Sequence, residues 1–137
     1  MRWETYNFTD DFQDAILSCL IKHPDEFYAF GEIIKPAFFN GPAASELVFR
    51  LLEYKKKFNK YPTFTTLANF AFEKASRVSI DHGKDTFDYV ERLSQMDTSD
   101  KKAILDMSVK FAQERAIHDA IRRIHAAQTE GKGDQVD

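Results

Sequence analysis

The segment Asp100 to Gln128 lies in the longest stretch of this chain without glycine or proline. No residue in it breaks or kinks a helix, and at 1.5 Å rise per residue it spans roughly 45 Å as one rod. Everything before it reads as a compact head. At 100° per residue, Ile104, Leu105, Met107, Phe111, Ala112 and Ala116 fall on one face, with Val109 at the margin. Past Ala116 the apolar residues Ile117, Ala120, Ile121, Ile124 and Ala127 gather on a stripe turned by well over a quarter circle. The first half can lie on the head. The second half points elsewhere, and Thr129 to Asp137 are too short to cover it, so something outside these 137 residues, in a neighbouring chain or in a longer form of this one, is expected to do so.

The residues ahead of the rod are patterned for helices. Trp3, Tyr6 and Phe8 are expected to pin the N-terminal segment to the head. Asp10 and Gln13 have capping-box spacing, which starts a first helix at about Asp11. Ile16, Leu17, Cys19, Leu20 and Ile21 make that helix apolar nearly all round, so it belongs in the centre. Pro24 suits the first position of a second helix, with His23 as cap and Asp25 and Glu26 in its first turn. Phe27, Phe30, Ile33 and Ile34 supply its inner face, and Lys35-Pro36 ends it. Ala37-Phe38-Phe39 reads as one tight turn that drops a phenylalanine into the core, and Asn40-Gly41-Pro42 starts the next helix.

A third helix, Ala43 to about Asn59, places Leu47, Leu51, Tyr54 and Phe58 at helical spacing beside Val48 and Leu52. Tyr61-Pro62 stops it, and Thr63 or Thr65 caps a fourth carrying Leu67, Phe70 and Ala71 to about Ala75. Ser76 to Gly83 reads as irregular. A fifth helix, about Asp85 to Gln95, aligns Phe87, Val90 and Leu93, and Ser99 is the expected cap of the rod. Period-two alternation is nowhere sustained, so the expectation is an all-α chain. It divides into a head of about five helices over 1–96, a long assembly helix over 97–130, and a tail or linker start over 131–137.

The 137 residues suffice for one domain with a real core, and their composition is that of a soluble globular protein. Cys19 sits alone in an apolar run, so it reads as a small buried hydrophobe of a reducing cytosol. No apolar run is long enough for a membrane span, and the N-terminus lacks the pattern of a secretory leader. The net charge of −3 hides an acidic first part, nine acids against four bases in residues 1–54, then a purely basic cluster of Lys55, Lys56, Lys57 and Lys60. A cluster at a helix C-terminus complements the dipole there.

Catalytic patterns are lacking at the level of sequence. Gly131-Lys132-Gly133 has neither the upstream glycine nor the following Ser or Thr of a P-loop. No Glu is followed three residues on by His, as di-metal helical bundles need, and Glu114 with His118 reads as a solvated i, i+4 pair. The serines stand in helical patterns without a glycine-rich elbow. No catalytic, cofactor-binding or metal-binding residue is therefore expected in this chain. What remains is assembly through Ile117, Ala120, Ile121, Ile124 and Ala127. Full burial of the three isoleucines from each of two chains would gross roughly 10 to 15 kcal/mol. Association costs on the order of 4 to 15 kcal/mol, so the stripe alone predicts a marginal dimer that other contacts must reinforce.

Four segments share a further likeness. They are Phe12-Gln13-Asp14-Ala15-Ile16-Leu17, Ile34 to Ala43 with its aromatic pair before a turn, Tyr61-Pro62-Thr63 followed by Leu67, and Phe111-Ala112-Gln113-Glu114-Arg115-Ala116-Ile117. In order and spacing the chain resembles the N-terminal domain of DnaB-family replicative helicases, most closely that of T4-type bacteriophage replicative helicases, over roughly Phe12 to Gln128. The resemblance implies a helical head followed by the first arm of a helical hairpin. Six copies would form a collar, as a trimer of dimers, above ATP-driven motor domains.

The same resemblance implies self-association, docking of primase, and the action of helicase loaders during DNA replication in the host cytoplasm. ATP, Mg and the grip on DNA would belong to a motor domain beyond residue 137, so this part would not itself be an enzyme. Two other readings of the residues stand beside it. One is a free-standing helical adaptor or loader of a phage replication system. The other is a single-stranded DNA-binding domain that uses Lys55, Lys56, Lys57 and Lys60 with Arg122 and Arg123, for which steeply salt-dependent binding would be the sign.

Overall fold

A computed structural model describes residues 8–135, with side chains for residues 8–129. Among the described residues there is no strand, and the helices are α1 (Asp10–Lys22), α2 (Tyr28–Ile33), α3 (Pro42–Phe58), α4 (Phe64–Ser76), α5 (Ile80–Ser94) and α6 (Lys101–Gln135), with a 3-10 turn at Pro36–Phe38. The all-α expectation holds. No helix among the described residues is long and apolar enough to cross a membrane. Trp3 and Tyr6 lie outside the described residues.

Helix α1 is central because almost every side of it is apolar: Ile16, Leu17, Cys19 and Leu20 are fully buried. That burial pushes the Cys19 thiol up to about 11, which leaves it with little nucleophilic thiolate. The helix starts differently from its capping-box expectation. Thr9 is the cap and its Oγ1 accepts from the Phe12 amide at 3.1 Å. Gln13 is buried instead, donating to the Phe8 carbonyl and accepting from the Asn40 amide, both at 2.9 Å. A side chain able to donate and accept at once is better used tying two loops than closing one helix end.

The same helix presents a polar row to α5. Asp14 accepts from Tyr89 Oη at 2.5 Å and from Arg92 at 3.0 Å, and Ser18 donates to the Leu93 carbonyl at 2.8 Å. One turn further, Lys22 donates to the Met96 carbonyl, and His23 meets Thr98 Oγ1 at 3.2 Å. Residues 14, 18 and 22 recur every four positions, so they share one face of the helix. Buried polar groups satisfied in this way fix register, because sliding α1 against α5 would strand each of them.

Helix α2 is shorter than its sequence pattern suggests. Residues 24–27 are turn, α2 begins at Tyr28, and Phe27 and Phe30 are buried while Ile33 is 52% exposed. His23, expected to cap α2, is instead the C-cap of α1, its amide donating to the Cys19 carbonyl at 2.7 Å, and Phe27 stands at the cap position of α2. The His23 ring goes to Thr98 rather than to a helix end. Gly31 lets α2 lie directly on Tyr61, for a Cβ there would fall 2.2 Å from Tyr61 Oη. Phe38 of the 3-10 turn and Phe39 just after it are both buried, where one phenylalanine was expected to enter the core. Helix α3 buries Leu47, Val48, Leu51 and Tyr54, whereas Phe58 is 46% exposed, its ring tilted against that of Tyr54 with centres 4.5 Å apart.

Thr63 caps α4. Ser79 caps α5, which therefore starts at Ile80, inside the span expected to be irregular. Glycine lowers helix propensity, and that masks the true start. Gly83 is in the helix because the α4–α5 corner closes there: a Cβ would meet Ser76 Oγ at 2.1 Å and Ser76 Cα at 3.2 Å. Replacing Gly83 with Ala is expected to cost about 1 to 3 kcal/mol through this overlap although alanine is the better helix former. Urea unfolding should record the loss, and combining it with Ser76→Gly should recover part of it.

Candidate assembly surface

Helix α6 meets α1, α2 and the 3-10 turn along its first half. Ser99, its expected cap, stands one residue before the cap position of a helix that begins at Lys101; its hydroxyl donates to the Asp97 carboxylate at 3.0 Å and its amide does so at 2.9 Å. These bonds hold the Asp97 carboxyl below its usual range. Lys101 then pairs with Glu26 at 2.7 Å, at the near end of the contact.

Phe111 is the anchor. It is fully buried, edge-on to Phe8 at 5.3 Å and tilted against Phe39 at 5.3 Å, and the Arg115 guanidinium lies 5.2 Å from its ring centre. Ala112 beside it is 1% exposed, and Ile104 and Leu105 pack partly buried. Ser108 completes the face, fully buried with its hydroxyl bonded to the Ile104 carbonyl at 2.6 Å. That internal bond lets a polar residue take a core position. Met107 and Val109 are 39% and 44% exposed and Ala116 is exposed, so the packed face is narrower than its apolar composition suggests. Only residues near the line through Ile104, Ser108 and Phe111 reach the head.

Beyond Ala112 the helix carries on with little beneath it. Asp119 makes the last described tie, to Lys35 at 3.4 Å. Ile117, Ile121 and Ile124 are 59%, 59% and 58% exposed, and Ala120 and Ala127 are exposed as well. At 100° per residue this stripe stands on the opposite side of the rod from Ser108 and Phe111. The helix itself runs on to Gln135, through Gly131 and Gly133 and past the end expected at Gln128. The stripe is therefore set on continuous helix at both ends.

Of the two groups of basic residues, Lys55 and Lys60 line one pocket and Arg122 another, and the two pockets share no residue. Lys55, Lys56 and Lys57 form the last turn of α3, and Asn59 caps it in the left-handed conformation, φ 58°. The Lys55 ammonium lies 5.5 Å from the Tyr28 ring centre and 5.4 Å from that of Tyr61. Lys55 and Lys60, with Asp25 and both tyrosines, border a recess of about 400 Å³. On α6, Arg122 and Arg123 are 3.9 and 3.0 Å from Asp119. Each basic group thus has its own carboxylate or aromatic neighbours, and the two do not form one lining.

Sequence alone gives Arg115 no role beyond its place in the Phe111-to-Ile117 segment. The signal was its place four residues after Phe111, where a long cation lies along the aromatic ring. Among the described residues, no three His, Cys, Asp or Glu side chains gather into one group. No protein-family model, curated protein or solved structure matches the chain.

Truncating Phe111 to Ala is expected to cost about 3 to 5 kcal/mol and to free α6 from the head. Hydrogen exchange would show lost protection over residues 101–112 before α1 and α5 are affected. Equal loss of protection throughout would mean that the anchor holds the whole head and not just the rod.

Proposed function

We propose that this chain is a non-catalytic assembly module, the N-terminal collar domain of a phage-type ring helicase of the DnaB kind. In this reading, copies pair along the α6 stripe into the dimer units of a hexameric ring, and primase or a helicase loader docks on the collar during replication in the host cytoplasm. ATP hydrolysis and the grip on DNA belong to a motor domain beyond residue 137.

The observation that carries the reading is the exposure of Ile117, Ile121 and Ile124 on the side of α6 turned away from the head. Their partial burial also scales down the expected gain. With nearly six-tenths of each side chain still to cover, six isoleucines contribute about 5 to 10 kcal/mol. Association costs on the order of 4 to 15 kcal/mol. Pairing through the stripe is then weak by itself and becomes firm only when a ring tethers many copies at high local concentration. The order of the four sequence segments shared with DnaB-family N-terminal domains supports the particular kind of assembly.

The expected result in solution is a mass that rises with concentration from one chain toward two, measured by sedimentation equilibrium. The double variant Ile121→Glu with Ile124→Glu should stay monomeric with unchanged helical circular dichroism. If wild type and variant are both monomers at millimolar concentration, the stripe does not pair with itself. Translating the reading frame past Asp137 separates the collar from a free-standing adaptor: a P-loop downstream fits the first, an immediate stop codon the second.

A further inference from the structure

A second feature lies on the flank of α6, between the face that packs on the head and the isoleucine stripe. Ala37, Asn40, Arg115, His118, Ile121 and Arg122 line an open pocket of about 440 Å³. Its walls bring two permanent cations and no carboxylate. Glu114 lies outside the walls, and the Asp119 carboxylate is already shared among Lys35, Arg122 and Arg123 at 3.4, 3.9 and 3.0 Å.

Arg115 is the unusual member. Its Nε and Nη2 are buried and have no hydrogen-bond partner among the described residues. A guanidinium stays charged at any relevant pH, and buried charged donors without an acceptor are costly. Nε–H and the neighbouring Nη2–H form the side edge of the fork, whose two parallel donors match the two oxygens of one carboxylate. The Phe111 ring beneath the guanidinium, 5.2 Å from its carbon to the ring centre, limits how far that edge can turn away. Ile121 belongs both to this pocket and to the exposed stripe.

We propose that this pocket is a carboxylate socket, the place where an acidic side chain of a partner protein seats when that partner lies along the stripe. Charge complementarity selects the occupant: a wall that carries the guanidinium groups of Arg115 and Arg122 and no carboxylate takes a glutamate or aspartate. The shared Ile121 makes the partner an apolar helix with an acid on its flank. The existence of such a partner rests on the assembly reading, but the two are measured separately. A chain that stays monomeric and still binds the carboxylate keeps the socket without self-pairing. A chain that dimerises and does not bind it does the reverse.

The test follows the Arg115 Nε–H resonance in the full chain by nitrogen-15 NMR, with N-acetylglutamate N-methylamide as probe and its glutamine counterpart as control, at matched ionic strength. A saturable shift with the glutamate probe alone is expected. Arg122→Gln, which changes a side chain 68% exposed, should weaken that binding about tenfold, the loss of one charge-assisted bond, and leave the fold intact. Three results would overturn the proposal. They are no shift with the glutamate probe, an equal shift with the glutamine probe or chloride, and a shift with inorganic phosphate but not with carboxylate, which would make the pocket a phosphate site.

Discussion

The arrangement of this molecule depends on one side chain being swallowed whole. Phe111 enters the head between Phe8 and Phe39, and the rest of α6 follows from where that happens. Because the anchor lies a third of the way along a 35-residue helix, the head covers the near part and the remainder projects as a cantilever. A helix this long is stiff enough to carry whatever its far faces display without help from a loop. The isoleucine stripe is thereby held out rather than folded back.

The head can act as a fixed base because α1 and α5 are locked by more than apolar contact. Apolar packing is non-directional and tolerates small slips, whereas the bonds from Asp14, Ser18 and Lys22 to α5 and the loop after it have one register. Burial, reinforced by the hydrogen bond to Asp14, keeps Tyr89 protonated far above the usual range of a phenol, so the donor side of that contact is permanent. The Gly31 and Gly83 close approaches serve the same end, letting backbone sit where a side chain would hold the layers apart.

Two kinds of chemistry then meet on the projecting rod. The stripe offers area without direction, and its partial exposure limits what it can contribute. The flank offers direction, through a guanidinium edge with no partner of its own. The proposed combination of weak apolar pairing with a specific ion pair would suit an assembly that forms in a defined register and still comes apart, since charge decides orientation and area decides strength.

Much of this was legible in the chain itself. Helical periodicity placed five of the six helices among the described residues, and the absence of glycine and proline announced the rod. The mismatch of its two apolar faces foretold that Ile117, Ile121 and Ile124 would stay uncovered. These are local properties, set by spacing along one helix. The fold decided the rest. Ser108 rather than Met107 became core because depth depends on the surface opposite. Gln13 left its cap because two loops came within its reach. Gly83 joined a helix because Ser76 folds back on it, and Arg115 lost its partners because Phe111 drew it under. Each outcome depends on which surfaces meet across the fold, and spacing along a sequence carries no record of that.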